Sequence, residues 1–257
     1  MSYIENKHAM FAIQDPKSKP PQTSLNLGSR EALRINKYLS ETGYCSRREA
    51  DRLIAAGHVT IDGKKAEIGM TVLPHQKVCV NKQIVHNQGK RIYLALNKPR
   101  GIVSTTDLSI KHNMVSFMNF KETIFPIGRL DKDSSGLILL TNDGNVVNPI
   151  LRSENAHEKE YIVEVEQAIT ETFLEQMSKG VEIYNPVAHQ RQKTHPVVIK
   201  KIDGYTFNII LKQGLNLQIR RMCLALGYHV KTLQRVRIMH IKLNDLKIGH
   251  YRYLTDE

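Results

Sequence analysis

Gly128-Arg129-Leu130-Asp131-Lys132-Asp133-Ser134-Ser135-Gly136-Leu137-Ile138-Leu139-Leu140-Thr141 sets two short apolar runs on either side of a polar turn. Phe125 to Leu130 and Leu137 to Thr141 have the length and composition of buried strands, and Lys-Asp-Ser-Ser-Gly between them is turn chemistry. Asp131 therefore stands where a buried strand gives way to a loop, a carboxylate held by a sheet and reachable from outside. Taken alone, an Asp in that place serves to accept backbone N–H groups of its own turn.

Downstream, Thr141-Asn142-Asp143-Gly144 caps a helix that turns Val146, Val147, Ile150 and Leu151 inward, and Pro149 keeps it short or bent. From Lys159 the chain alternates, so Tyr161, Val163 and Val165 share one strand face. Thr170 to Lys179 has helical spacing, with Phe173, Leu174 and Met177 buried and Gly180 as the stop. Residues 181 to 201 are strand-like and basic. His189 and His195 lack a Cys or Glu partner at ligand spacing, so no metal is expected. Tyr205 to Lys212 forms a strand that turns at Gln213-Gly214-Leu215-Asn216 into a helix capped by Asn216. Ile219, Met222, Cys223 and Leu226 mark that helix's core face; Arg220 borders it and Arg221 faces away. Val230 to Tyr253 suits a final strand pair over the core.

Upstream, Ile92 to Leu96 is a strand that enters the turn Asn97-Lys98-Pro99-Arg100-Gly101, where Lys98 and Arg100 are placed to guide phosphate. Residues 82–91 are polar and form a linker. Before them, Ile35, Tyr38 and Leu39 mark one short helix, and Ser46-Arg47-Arg48-Glu49 is a capping box that opens a second, stopped by Gly57. Ala50, Leu53 and Ile54 bury that helix, which leaves Arg34, Lys37, Arg47, Arg48 and Arg52 as a basic surface. Val59 to Lys65 is a hairpin with an Asp-Gly turn, followed by strand at Val72 and Val78 to Val80. Residues 1–32 mix Lys, Pro, Ser, Asn and Gln without period and are expected to be a disordered basic tail.

Lys and Arg outnumber Asp and Glu by 37 to 25, a net charge of +12 that suits a partner rich in phosphate. No apolar run reaches membrane-spanning length. The cysteines are odd in number and widely spaced, which fits a reducing compartment and argues against a disulfide framework or zinc site. With no secretory signal visible, a cytoplasmic protein is expected.

Gly-Arg-Leu-Asp-x-x-Ser-x-Gly-Leu-x-Leu-Leu-Thr-Asn-x-Gly, from Gly128 to Gly144, resembles the catalytic-loop motif of pseudouridine synthases, closest to the branch that modifies ribosomal RNA. Lys159-Glu160-Tyr161 resembles that family's second motif, and Gln-Gly-x-Asn-x-Gln-Ile-Arg-Arg-Met its third, in which Leu217 departs from a commonly polar or basic position. Leu233-x-Arg235-x-Arg237-Ile238 is also family-like, and the stretch from Arg34 to Asn81 resembles the S4 RNA-binding domain. The resemblance implies an α+β protein: a small S4 (αL-like) domain at 33–81, the linker at 82–91, and at 92–257 a mixed, mainly antiparallel sheet with flanking helices. It also implies Asp131 as the catalytic residue, Tyr161 as a platform for the target base, and Arg220 as the cation paired with Asp131. The RNA-binding set is then Arg34, Lys37, Arg47, Arg48, Arg52, Lys98, Arg129 and Arg221.

Pseudouridylation breaks the bond from uracil N1 to C1′ and joins C5 to C1′ in the same nucleotide. No redox cofactor or energy source is called for, and no phosphate-binding glycine motif is present. The partner expected is ribosomal RNA, 23S first, with transfer RNA as a further substrate, and the protein is expected to act as a monomer. A non-catalytic S4-type RNA-binding or ribosome-assembly protein is the alternative, and a nuclease would want clustered carboxylates or paired histidines that do not appear.

Overall fold

The computed structural model describes residues 11–20, 32–85, 91–151, 157–186 and 188–254. The small module is built on helices Ile35–Glu41 and Arg47–Ala55, whose Ile35, Leu39, Ala50 and Ile54 are buried. Ser46 caps the second helix, its Oγ accepting from the Glu49 N–H at 3.2 Å. Asp62 and Gly63 both have positive φ, the geometry of a tight hairpin turn, and they join Val59–Ile61 to Lys64–Lys65. The sheet continues through Val78–Val80 to Gln83–Ile84, and Val85 packs in the same core. The module therefore extends beyond the boundary expected at 81, because two residues of the expected linker complete its sheet.

The larger domain is a ten-stranded sheet. Its order runs Ile13–Gln14, His250–Tyr253, Tyr93–Lys98, Ser135–Thr141, Val230–Ile238, Lys159–Val165, Thr206–Leu211 and Val198–Lys201. Phe125–Ile127 and Ile241–Lys242 pair alongside. Only the first pair and the contact of Ser135–Gly136 with Gln234–Arg235 are parallel among these pairings, so the sheet is mixed and mainly antiparallel. Leu94, Leu96, Ile138 and Leu140 face the main core, while Ala95, Leu137 and Leu139 face a smaller one. Burial on both faces explains why these strands read as continuous apolar runs.

Two expectations change here. Val230–Ile238 is not part of a covering pair but a central strand, between the strand that follows the Asp131 loop and the one that carries Tyr161. Residues 11–20 of the expected tail are ordered: Ile13–Gln14 pair with His250–Tyr251, the Ala12 N–H donates to the Phe117 carbonyl, and the Tyr253 N–H donates to Ser18 Oγ. A two-residue pairing with a strand at the other end of the chain leaves no local period to read. Lys17 and Lys19 are exposed on this segment, and Lys7 lies outside the described residues.

Candidate active site

The Asp131 loop spans residues 128–134, between Phe125–Ile127 and Ser135–Thr141. Every carbonyl from Arg129 to Asp133 accepts a hydrogen bond. Arg129 takes one from Arg235 Nη1 at 3.3 Å, Leu130 from Ser104 Oγ at 2.7 Å, and Asp131 from the Ser134 N–H at 3.1 Å. Lys132 accepts from the Gly101 N–H at 2.7 Å and Lys98 Nζ at 3.4 Å, and Asp133 from Arg220 Nη2 at 3.1 Å. Three cations thus grip the main chain of the loop, while among the described residues no ion pair engages the half-buried Asp131 carboxylate. A loop whose polar backbone is satisfied in this way presents its side chain in one place.

A cleft of about 340 Å³ opens beside that carboxylate, lined by Asp131, Lys159, Tyr161, Arg220, Leu233 and Arg235 among others. Cross-strand register explains the gathering. Arg235 lies opposite Gly136 on one side and opposite Tyr161 on the other, beside a bulge at Glu160/Tyr161. Gly136 has φ +104, and a Cβ there would overlap the Arg235 backbone, so only glycine lets the two strands meet.

Of the expected trio, Asp131, Tyr161 and Arg220 all line the cleft. Tyr161 is 8 % exposed. The expected Arg220–Asp131 pair is not seen among the ion pairs of the described residues: Arg220 Nη1 and Nη2 donate to the carbonyls of Val230 and Asp133 at 3.3 and 3.1 Å. Arg221, expected to meet phosphate, instead donates to the Tyr184 carbonyl at 2.8 Å and Asn216 Oδ1 at 3.1 Å. That second bond also removes Asn216 from capping: the helix is Gln218–Ala225, and Leu217 occupies its N-cap with φ +51.

Lys98 is the clearest correction. Expected to guide phosphate, it is fully buried, with Nζ donating to the carbonyls of Pro99, Ile102 and Lys132. The turn after its strand and the Asp131 loop close over it. Burial pushes its amine down to about 8, with Asp131 and Asp133 drawing it up and Arg235 pushing it down. The remaining basic residues are where a nucleic acid can reach them: Arg34, Arg47, Arg48, Arg52 and Arg129 are exposed. Arg52 pairs with Glu49 at 2.8 Å, and half-buried Lys37 with Glu41 at 3.5 Å.

Arg235 was not singled out for a role by sequence. It is 3 % exposed, its Nε donates to the Leu137 carbonyl at 2.7 Å, and its Nη2 has no hydrogen-bond partner among the described residues. The available signal was its place in a strand two residues from Leu233, which puts an arginine on an inward face. Lys159 was missed likewise. Burial, then Arg235, holds its amine below the ordinary lysine value. Among the described residues no group of three or more His, Cys, Asp or Glu is placed to hold a metal, and no helix is long and apolar enough to cross a membrane.

The Lys98 amine gives a pH expectation. Its value in the fold, about 8, lies below its ordinary 10.5, so between these the unfolded chain holds a proton that the folded one has lost. Its contribution to stability therefore rises with pH across that window while the charge beneath the loop disappears. Turnover should fall through a basic limb near pH 8 without a parallel loss of melting temperature traceable to Lys98. Comparison with Lys98→Met checks this: wild-type turnover that is flat to pH 9.5 would contradict it.

A mixed sheet thus brings Asp131, which has no ion pair among the described residues, the strand residue Tyr161 and buried cations to one cleft, in a chain that also carries a basic helical module, an arrangement that suits an RNA-modifying enzyme. The family model for RNA pseudouridylate synthases matches residues 92–225 and that for the S4 domain residues 33–75, and the chain belongs to the RNA pseudouridine synthases. It is 50 % identical over 228 residues to the dual-specificity RNA pseudouridine synthase RluF of Escherichia coli strain K12, covering 88 % of this chain and 77 % of that one. It is 32 % identical to the ribosomal large subunit pseudouridine synthase B of Bacillus subtilis strain 168, covering 86 % and 92 %. A crystal structure of a pseudouridylate synthase aligns with TM-score 0.59 at 26 % identity, covering 87 % of this chain and 96 % of that one. The protein is an enzyme that isomerises uridine in RNA.

Proposed function

We infer that the substrate is a specific uridine in 23S ribosomal RNA, with transfer RNA as a second substrate, and that the enzyme works in the cytoplasm as a monomer. What supports this is the basic S4 module ahead of the synthase domain, together with the relatives' named substrates and dual specificity. The observation that carries the site assignment is the Asp131 carboxylate, which has no ion pair among the described residues while the carbonyls from Arg129 to Asp133 are each hydrogen-bonded.

In this reading the target uridine leaves its stack and enters the cleft, where Tyr161 supports the base. Asp131 is the carboxyl group that serves the reacting nucleotide while the N1–C1′ bond breaks and the C5–C1′ bond forms. C5 releases its proton and N1 ends protonated, so the base is conserved. Lys98, Arg220 and Arg235 keep the loop in position by donating to its carbonyls. Arg34, Lys37, Arg47, Arg48, Arg52 and Arg129 supply phosphate contacts.

Purified protein incubated with 23S RNA and with bulk transfer RNA, followed by chemical mapping of pseudouridine, tests the substrate assignment. New modification at one 23S uridine is expected; modification confined to transfer RNA would reverse the order of substrates. Tyr161→Phe should retain slow turnover because the ring stays, whereas Tyr161→Leu should lose about 100-fold or more. Wild-type turnover by the Leu variant would make Tyr161 an ordinary strand aromatic.

A further inference from the structure

A second cavity, of about 490 Å³, adjoins the cleft and shares Gly128, Arg129 and Leu151 with it. Thr105 and Thr106 supply hydroxyls to its lining, and Phe125 and Pro126 supply apolar ring surface. Gly128, common to both linings, has φ +79, and a Cβ there would come within 2.8 Å of Leu151 Cδ2. One wall hangs from the catalytic loop itself, since Ser104 Oγ bonds the Leu130 carbonyl.

The cavity lies on the side of the small module. Thr123, two residues before Phe125, donates to the Gly43 carbonyl of that module at 3.3 Å. Asp107, next to Thr106, has its carboxyl held below the ordinary value first by Ser109 and then, among smaller influences, by the charges of Arg48 and Arg52. A strand of RNA that leaves the cleft past exposed Arg129 therefore crosses this cavity before it reaches the basic helix.

We propose that the cavity is a subsite for the unpaired nucleotide that flanks the target uridine on the S4 side, its base against Phe125 and Pro126 and the intervening phosphate at Arg129. An aromatic wall accepts any base face, and hydroxyls beside it can meet the base edge. The proposal rests on the cleft's taking a uridine, so its test is read from binding alone, in the non-turnover Asp131→Asn protein.

The probe is a 23S stem-loop that carries the mapped uridine, made intact or with an abasic ribose at either neighbouring position. Phe125→Ala should weaken the intact RNA about tenfold, the magnitude of one lost base–aromatic stack. One of the two abasic RNAs should bind the parent protein equally weakly, and Phe125→Ala should then weaken that RNA less than twofold further. Phe125→Tyr should restore the parent Kd, and exposed Thr106→Glu, which leaves the core untouched, should reproduce the same pattern if Phe125→Ala lowers the melting temperature. Losses that multiply on both abasic RNAs, or an unchanged Kd in both the Phe125→Ala and Thr106→Glu proteins, would overturn the subsite. Failure of wild type to form pseudouridine would instead overturn the reading of the cleft.

Discussion

Asp131→Asn should lower single-turnover isomerisation by at least about 10³-fold while RNA binds with nearly its original Kd. The two effects separate because the carboxylate makes no hydrogen bond or ion pair among the described residues, whereas its backbone and its neighbours' backbones hold the loop. Asn has the same shape, so the loop should stay in place and stability should change by no more than about 0.5 kcal/mol. Rapid-quench assays at saturating enzyme, a Kd titration and a thermal melt measure the three quantities. Appreciable product from the variant would show that another group does the chemistry.

Gly136→Ala should be severely damaging. Its φ of +104 is strained for any residue with a Cβ, and the added carbon would overlap the main chain of Arg235. The parallel contact between Ser135–Gly136 and Gln234–Arg235 would have to open, carrying Arg235 away from the carbonyls of Arg129 and Leu137. A loss of about 3 kcal/mol or more is expected, a fall of roughly 10 °C in melting temperature, with turnover lost even where the protein is folded. Gly144→Ala is the control, since nothing lies within 4 Å of a Cβ there. Similar melts for the two variants would mean that the strand contact is looser than described.

The contrast between the Asp131 loop and Lys98 shows what the sequence could and could not convey. The loop, its flanking strands, the Ser46 cap and the alternation around Tyr161 are local patterns, and the structure contains each of them. Lys98 ends an apolar strand next to Pro99, where a lysine ordinarily reaches solvent; its burial depends on a loop more than thirty residues later folding over it. Arg220 was placed on the correct edge of its helix, but which acceptor it takes is set by the tertiary position of Asp133 and Val230. Arg235 needed the strand order, because only the central place of Val230–Ile238 sets it between Gly136 and Tyr161. The ordered segment at residues 11–20 pairs across nearly the whole chain, and no local period announces it.

Tritium release from RNA labelled at uridine C5 is the most direct measurement of the central claim that Asp131, held in its clamped loop, isomerises uridine. Wild-type protein with labelled 23S RNA should release tritium in step with pseudouridine formed, and Asp131→Asn should release almost none. Equal release by the two proteins, or none by wild type from any cellular RNA, would contradict the account.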